Sequence, residues 1–324
     1  MPDNLTNTSS ILLIGAGPMA QAYAKVLTAL NVEFDVIGRS TLSAEKFALE
    51  TGKQVFAGGL DDFLRTTSAR YEKAIVATGT EELKNATIKL IDHGCFQLLV
   101  EKPGAVSIEE ANELFEYSKT KPGCKIFIAY NRRFYASVQK LIELTKEDGG
   151  VSSFNFEFTE WAHKIAPLVK AEHVKENWFF ANSTHVVDLA FFLGGKPRNI
   201  ATFTAGKLEW HPVAIFSGAG ITTNGSLFSY QANWTAPGRW AVEILTPKRR
   251  FYLKPLEKLM VQQLGSVEVT EMAIDDSIDI DFKPGLHKQT VAFFSSNQSG
   301  LVSLAEHMDN CVVYQKMLVP SNLF

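Results

Sequence analysis

The stretch Ile11-Leu12-Leu13-Ile14-Gly15-Ala16-Gly17-Pro18-Met19-Ala20 decides the fold. Four apolar residues in a row predict a strand buried on both faces, and the glycines that follow end it abruptly. From Met19 to Leu30 the apolar spacing becomes that of a helix. Gly15-x-Gly17-x-x-Ala20 therefore matches G-x-G-x-x-G/A in the strand–turn–helix context that gives the motif its meaning. The first glycine makes the tight turn, the second lets phosphates approach the backbone, and the small Ala20 lets the helix pack on the strand. The helix N-terminus, opened by Pro18 and Met19, offers unsatisfied N–H groups and a positive dipole end to an anion. Gly15, Gly17, Pro18 and Met19 are thus expected to bind a dinucleotide. The alternative is a glycine turn with no ligand.

Outward from this motif, short apolar runs continue at Phe34–Ile37, Gln54–Phe56, Lys73–Ala77, Gln97–Val100 and Lys125–Ala129. Helical patterns separate them, including Ser43 to Glu50. Another, from Ser107 to about Lys119, opens on the capping-box spacing Ser107-x-x-Glu110. Buried strands alternating with helices predict an α/β Rossmann unit, a doubly wound parallel sheet. Beyond residue 130 the pattern changes. Phe154 to Thr159 and Ile278 to Phe282 alternate strictly, and Ala201–Ala205, Trp240–Leu245 and Val267–Ile274 are strand-like. Helical patterns remain at His185–Leu193 and Leu301–Leu318. The expectation is a C-terminal α+β domain built on a largely antiparallel sheet. Residues 1–130 would bind the cofactor, and 131–324 would bind substrate and form oligomers. A sheet face without helices is expected to pack on a second copy, as a homodimer or homotetramer.

Composition narrows the function classes. The chain has 324 residues, 46% hydrophobic and 21% charged, the balance of a globular protein. A net charge of -3 gives no basic face for nucleic acid. Lys248-Arg249-Arg250 and Arg132-Arg133 read as solvated turns or local anion contacts. Cys95, Cys124 and Cys311 lie far apart and form no metal or redox pair, which points to a reduced compartment. The polar opening Met1–Ser10 lacks the order of a signal peptide, and no apolar run nears the roughly 20 residues of a membrane span. A cytoplasmic protein with no membrane contact is expected. His93, His211, His287 and His307 are isolated and read as structural or surface residues, and no metal is expected.

The second strand ends in Ile37-Gly38-Arg39-Ser40, without the acid that binds the ribose 2′-hydroxyl of NAD. Arg39 can pair with a 2′-phosphate and Ser40 can add a donor, so NADP is preferred. An arginine stacked on adenine leaves NAD open. Thr78, Glu101 and Lys102 follow strand C-termini, where open parallel sheets bind ligands, and complete the cofactor set. A lysine beside a nicotinamide ring is poised to hydrogen-bond or exchange a proton with a substrate hydroxyl. Taken singly, Lys102 reads more readily as a surface charge. His185 and Asp188, three apart, share a helix face. A lone histidine there reads more readily as a hydrogen-bonded core residue.

Together, Gly15-Ala16-Gly17-Pro18-Met19-Ala20, Glu101-Lys102-Pro103, Tyr130-Asn131-Arg132-Arg133-Phe134 and the His185-x-x-Asp188 helix ending Gly194-Gly195-Lys196-Pro197 resemble one family. It is the glucose–fructose oxidoreductase / inositol dehydrogenase (Gfo/Idh/MocA) family, matched in order and spacing. The resemblance implies nicotinamide-dependent hydride transfer to or from a sugar, polyol or nucleotide-sugar hydroxyl or carbonyl. By the same resemblance Lys102 is a catalytic lysine and His185 the acid/base, with Tyr130, Asn131 and Arg132 near the substrate. Asn182 and Trp161 join these as substrate candidates. Trp161, His163, Lys164, Lys170, His173 and Trp178 suit a sugar ring and a phosphate, and equally suit packing beside a solvated loop. One departure matters. Many family dehydrogenases carry an aspartate four residues before the histidine, and here Ala181 stands there. Either His185 and Lys102 suffice, or the chemistry differs, or the protein is a cofactor-sensing regulator without catalysis. An NAD-dependent non-redox glycosidase is the remaining alternative. Histidine's reference pKa near 6.5 suits proton transfer better than lysine's of about 10.4. His185 is thus the expected acid/base, and Lys102 the group that orients and polarises the hydroxyl.

Overall fold

In the computed structural model, which describes residues 11–319, the opening apolar run is strand β1, Ile11–Ile14, buried at every position. The next strands are β2 (Phe34–Ile37), β3 (Val55–Phe56), β4 (Lys73–Val76), β5 (Gln97–Glu101) and β6 (Lys125–Ala129). With the short strand Val302–Ser303 at one edge, the sheet order is Val302–Ser303, β6, β5, β4, β1, β2, β3. Its numbered strands pair in parallel, and the Val302–Ser303 edge is antiparallel. Strand order reverses on either side of β1, which opens a crevice at its C-terminal end. The helix Ile108–Lys119 starts as its sequence predicts. Ser107 Oγ accepts from Glu110 N at 3.3 Å, and Glu110 Oε2 accepts from Val106 N at 3.2 Å.

The described residues up to Ala129 form one compact unit together with Leu286–Met308. The sequence reading divides the chain once, after residue 130, so this return is a departure from it. The helix Leu286–Phe294 packs against Pro18–Ala29 in this unit, with Leu286 and Phe293 fully buried. Gln97 Nε2 donates to Phe293 O at 3.0 Å, and the Phe293 ring meets Phe127 edge-on at 6.4 Å. An apolar helix face with a ready surface overrides sequence adjacency.

Tyr130–Gly285 and the described residues from Asp309 form the second unit. Its strands are β7 (Ser153–Glu157), β8 (Pro197–Ala205), β9 (Ile215–Thr222), β10 (Leu227–Asn233), β11 (Ala241–Leu245), β12 (Arg249–Leu253), β13 (Met260–Gln263) and β14 (Val269–Glu271). They run in the order β14, β13, β12, β11, β7, β10, β9, β8. All pairs are antiparallel except β7 with β10. Alternation sends Phe154, Phe156, Phe228 and Tyr230 to one face, where Phe154–Phe228 and Phe156–Tyr230 stack at 5.4 Å. The helix Thr184–Gly194 covers that face through Phe191, whose ring lies 5.2 Å from Phe228 and 5.4 Å from Phe156. The opposite face carries Ser217, Ala219, Ser229 and Gln231 with exposed Phe203, Ile215 and Leu227.

Three sequence expectations need correction. Ile278–Phe282, read as a strand, holds the short helix Ser277–Asp281. The Asp279 carboxylate accepts from Ala136 N at 2.7 Å and Gly285 N at 2.8 Å, and these local bonds override the alternation. Val267–Ile274 yields only the short β14. Arg249 and Arg250, read as a solvated turn or a local anion contact, lie in a strand, β12, rather than a turn, and pair with Asp148 and Glu243. No helix among the described residues is long and apolar enough to cross a membrane.

Candidate active site

Gly15 has φ of 120°, and a Cβ there would be driven into the Ala77 carbonyl at the end of β4. Gly17 is extended, and a Cβ on it would meet nothing within 4 Å. That open space faces the first turn of the helix Pro18–Ala29. Gly17 gives this turn no side-chain cap, and Pro18 has no N–H, so the unsatisfied donors begin at Met19 and Ala20. A concave backbone at a helix N-terminus fits a dinucleotide pyrophosphate. These residues would hold the cofactor.

Arg39 is 82% exposed, with Nη1 3.4 Å from Glu82 Oε1. Ser40 caps the helix Thr41–Thr51, its Oγ accepting from Ser43 N at 3.3 Å. Thr78, just past β4, donates to the Gly79 carbonyl at 3.3 Å. Glu101 ends β5 and is held by Tyr23, whose hydroxyl donates to Glu101 Oε1 at 2.8 Å. Burial, then the Glu101 charge, raise the Tyr23 phenol well above its ordinary range. Gly104 N donates to Glu101 O at 3.0 Å and closes the turn that carries Lys102; the Lys102–Pro103 peptide is cis. Sequence reasoning missed Tyr23. Its signal was a tyrosine on the buried face of the cofactor helix, since a buried phenol needs a partner.

In the second unit, a π-helical turn, Phe179–Ser183, leads into the helix Thr184–Gly194. Such turns recur at functional sites. His185 opens the helix and is buried, its ring 6.1 Å edge-on from Tyr130 and 6.0 Å from Trp240. One turn later Asp188 takes a buried bidentate pair from Arg133, Nε to Oδ2 at 2.8 Å and Nη2 to Oδ1 at 2.6 Å. The Arg133 guanidinium also lies 4.4 Å from the Phe192 ring. This clamp fixes the His185 helix against the turn Asn131–Phe134, and so sets Tyr130 beside His185. Of the two readings of Arg133, solvated turn or anion contact, the buried pair with Asp188 excludes the first. Asn131 is buried too, with Nδ2 donating to Pro284 O at 3.0 Å and Oδ1 accepting from Arg132 Nη1 at 3.3 Å.

Arg132 and Arg239 both lie against the Trp240 ring, at 4.7 and 4.4 Å, and Arg239 also lies 4.9 Å from Trp161. Trp161 Nε1 donates to Gly238 O at 2.8 Å, which anchors that ring. Glu160, just past β7, is buried and accepts from Asn182 Nδ2 and Ser183 Oγ, both at 2.9 Å. Arg239 Nη1 approaches its other oxygen at 3.2 Å. A carboxylate thus stands against the turn that contains Ala181, supplied from a different element. Glu160 and Arg239 were missed; an acid closing the alternating run was the only hint. Of the remaining candidates, His163, Lys164, Lys170 and His173 are exposed, and His173 sits 3.2 Å from Glu176. Trp178 packs on Trp210 at 6.2 Å.

Residues 9–130 match the family model described as an oxidoreductase family with an NAD-binding Rossmann fold. No curated protein sequence matches the chain. Solved structures share its fold across nearly the whole length, among them the following three. An oxidoreductase from Desulfitobacterium hafniense is 17% identical with a TM-score of 0.77, over 96% of this chain and 95% of that one. Levoglucosan dehydrogenase bound to NADH and levoglucosan is 15% identical with a TM-score of 0.75, over 96% of each. UDP-N-acetylglucosamine 3-dehydrogenase from Acidithiobacillus ferrooxidans is 14% identical with a TM-score of 0.71, over 95% of this chain and 96% of that one. The glycine cradle lies within the family match, so the Rossmann unit is that of the Gfo/Idh/MocA family of NAD-binding oxidoreductases, and the solved structures show that the whole chain shares their fold.

Proposed function

We propose that the protein is an NADP(H)-preferring dehydrogenase or reductase acting on a CH–OH group of a sugar, polyol or nucleotide sugar. The observation that carries the reading is His185, a buried imidazole set between Tyr130 and Trp240 on a helix locked by Arg133–Asp188. The fold shared with two carbohydrate dehydrogenases supports the substrate class. When bound, the nicotinamide accepts or supplies the hydride. In the oxidative direction His185 takes the hydroxyl proton as the C–H bond yields its hydride and the carbonyl forms. Lys102, at the end of β5, orients and polarises that oxygen. Tyr130, Arg132, Asn182 and Trp161 flank the substrate.

The odd number and wide spacing of Cys95, Cys124 and Cys311 support a cytoplasmic setting. The exposed apolar residues Phe203, Ile215 and Leu227 support a homodimer or homotetramer through the open sheet face.

The test is turnover of a sugar, polyol and nucleotide-sugar panel with NADP(H) and NAD(H), followed by nicotinamide absorbance. A positioned acid/base contributes about 10²- to 10⁴-fold, so His185→Ala should lose that much rate with cofactor affinity nearly unchanged. Activity at the wild-type rate in His185→Ala would overturn the assignment and move the regulatory reading forward.

A further inference from the structure

Arg132, Trp240 and Arg239 form a cationic recognition surface that the hydride-transfer chemistry does not require. Bringing two guanidiniums to one indole ring sets like charges close together, which costs free energy unless anions compensate. Glu160 compensates Arg239, at 3.2 Å. Arg132 has no ion pair among the described residues. Its one hydrogen bond is a long one, Nη1 to Asn131 Oδ1 at 3.3 Å. Its Nε is buried without an acceptor among the described residues, and so is Trp240 Nε1. Two adjacent buried donors therefore lack acceptors, beside a guanidinium that Glu257 and Glu160 offset only through space. Native proteins rarely leave such groups unmet, so a ligand is the natural source of the missing acceptor.

We propose that the substrate is an acidic sugar, whose oxyanion is held by Arg132 beside Trp240, with Arg239 as a second cation. The proposal rests on the dehydrogenase reading, since it names the substrate class of that site. The guanidinium fork matches carboxylate or phosphate oxygens two at a time, which a lysine in its place could not do. His185 lies 6.0 Å from the Trp240 ring, so an oxyanion held there leaves a neighbouring ring hydroxyl within range of the imidazole. Glu160 keeps Arg239 from taking a second anion outright, which limits the site to one acidic group. Burial holds the Arg132 guanidinium below the ordinary arginine range, as an unpaired cation there should be.

Binding, not turnover, tests this, so a failure of the dehydrogenase reading shows separately in the turnover assay. The probes are D-glucuronate, glucose 6-phosphate and D-glucose, titrated calorimetrically into the NADP-saturated protein. At least one anion is expected to bind about tenfold or more tightly than glucose, with the advantage shrinking as salt rises. Glucuronate alone showing it assigns the oxyanion as a carboxylate; glucose 6-phosphate alone assigns a phosphate. Arg132→Gln should abolish the preference. Arg132→Lys, which keeps the charge and loses the fork, should reduce it severalfold and covers the case in which Arg132→Gln does not fold. Equal affinity for glucose and both anions, no binding of either anion, or an undiminished preference in Arg132→Gln or Arg132→Lys would overturn the proposal.

Discussion

At Asp188 both carboxylate oxygens are taken by Arg133, and the two side chains are 1% and 5% exposed. Removing one partner of such a pair leaves a buried charge, at a cost of about 3–5 kcal/mol. Asp188→Leu and Arg133→Met should each lower the urea unfolding free energy by that much. The double variant should lose less than the sum, because neither charge is then stranded. Additive losses would show that the pair is not coupled. The sequence marks Asp188 as sharing a face with His185 but conceals its partner 55 residues earlier. Arg132 and Arg133 read alike as a basic pair, and only burial separates them, one into an ion pair and the other onto a tryptophan. Arg39 is the opposite case, singled out in the sequence by a missing acid rather than by its own pattern. NADP(H) should bind about tenfold or more tightly than NAD(H), and Arg39→Ala should erase most of that difference. Equal affinities in the wild type would refute this.

The β1–turn–helix element contains two glycines that do different work, and substitution can separate them. Gly15→Ala forces a Cβ into the Ala77 carbonyl and demands a positive φ, so it should destabilise the first unit by about 1–3 kcal/mol. Gly17 has φ of -88° and open space around it, so Gly17→Ala should leave stability within about 1 kcal/mol. Its methyl group would fill the cradle and weaken cofactor binding markedly. Melting curves and cofactor titrations on both variants check this; unchanged cofactor affinity in Gly17→Ala would remove the cradle from that role. Elements with strong contrast, such as β1 and the capped helix Ile108–Lys119, were legible in the sequence. β9 was not, because Ser217, Gly218, Ala219 and Gly220 offer too little contrast between faces. Ile278–Phe282 misled for the converse reason, since its alternation is strong but Asp279 secures a turn locally.

Over the whole molecule, two units and a change of sheet type were legible, while the return of Leu286–Met308 to the first unit was not. That segment has ordinary helical periodicity, and which surface it covers is a matter of long-range packing. Assembly belongs to this scale as well. If the open face of the second sheet pairs with a copy, light scattering should give at least twice 35.9 kDa, and a monomer mass at micromolar concentration would exclude it. Part of the acid stability can be assigned to His211, whose shift is larger than that of His287, which burial also lowers. His211 is buried against Trp234, with ring centroids 4.6 Å apart, and its Nδ1 donates to Val213 O at 2.6 Å. Burial lowers its pKa from 6.5 to about 4. Between these two values the unfolded chain binds a proton at His211 and the folded protein does not. Stability should therefore fall as pH drops through that window, by up to about 3 kcal/mol, with no further loss from this group below it. Asp148, held below the ordinary carboxylate range by Arg249, loses its contribution as pH falls below that range, beyond most of the His211 window. All five tryptophans lie in the second unit, and their fluorescence reports its unfolding directly. His211→Asn keeps a donor near Val213 O and cannot titrate. It should lower stability at neutral pH through lost packing while flattening the decline between about pH 6.5 and 4. An unchanged slope in that variant would mean that His211 is not the group taking up the proton.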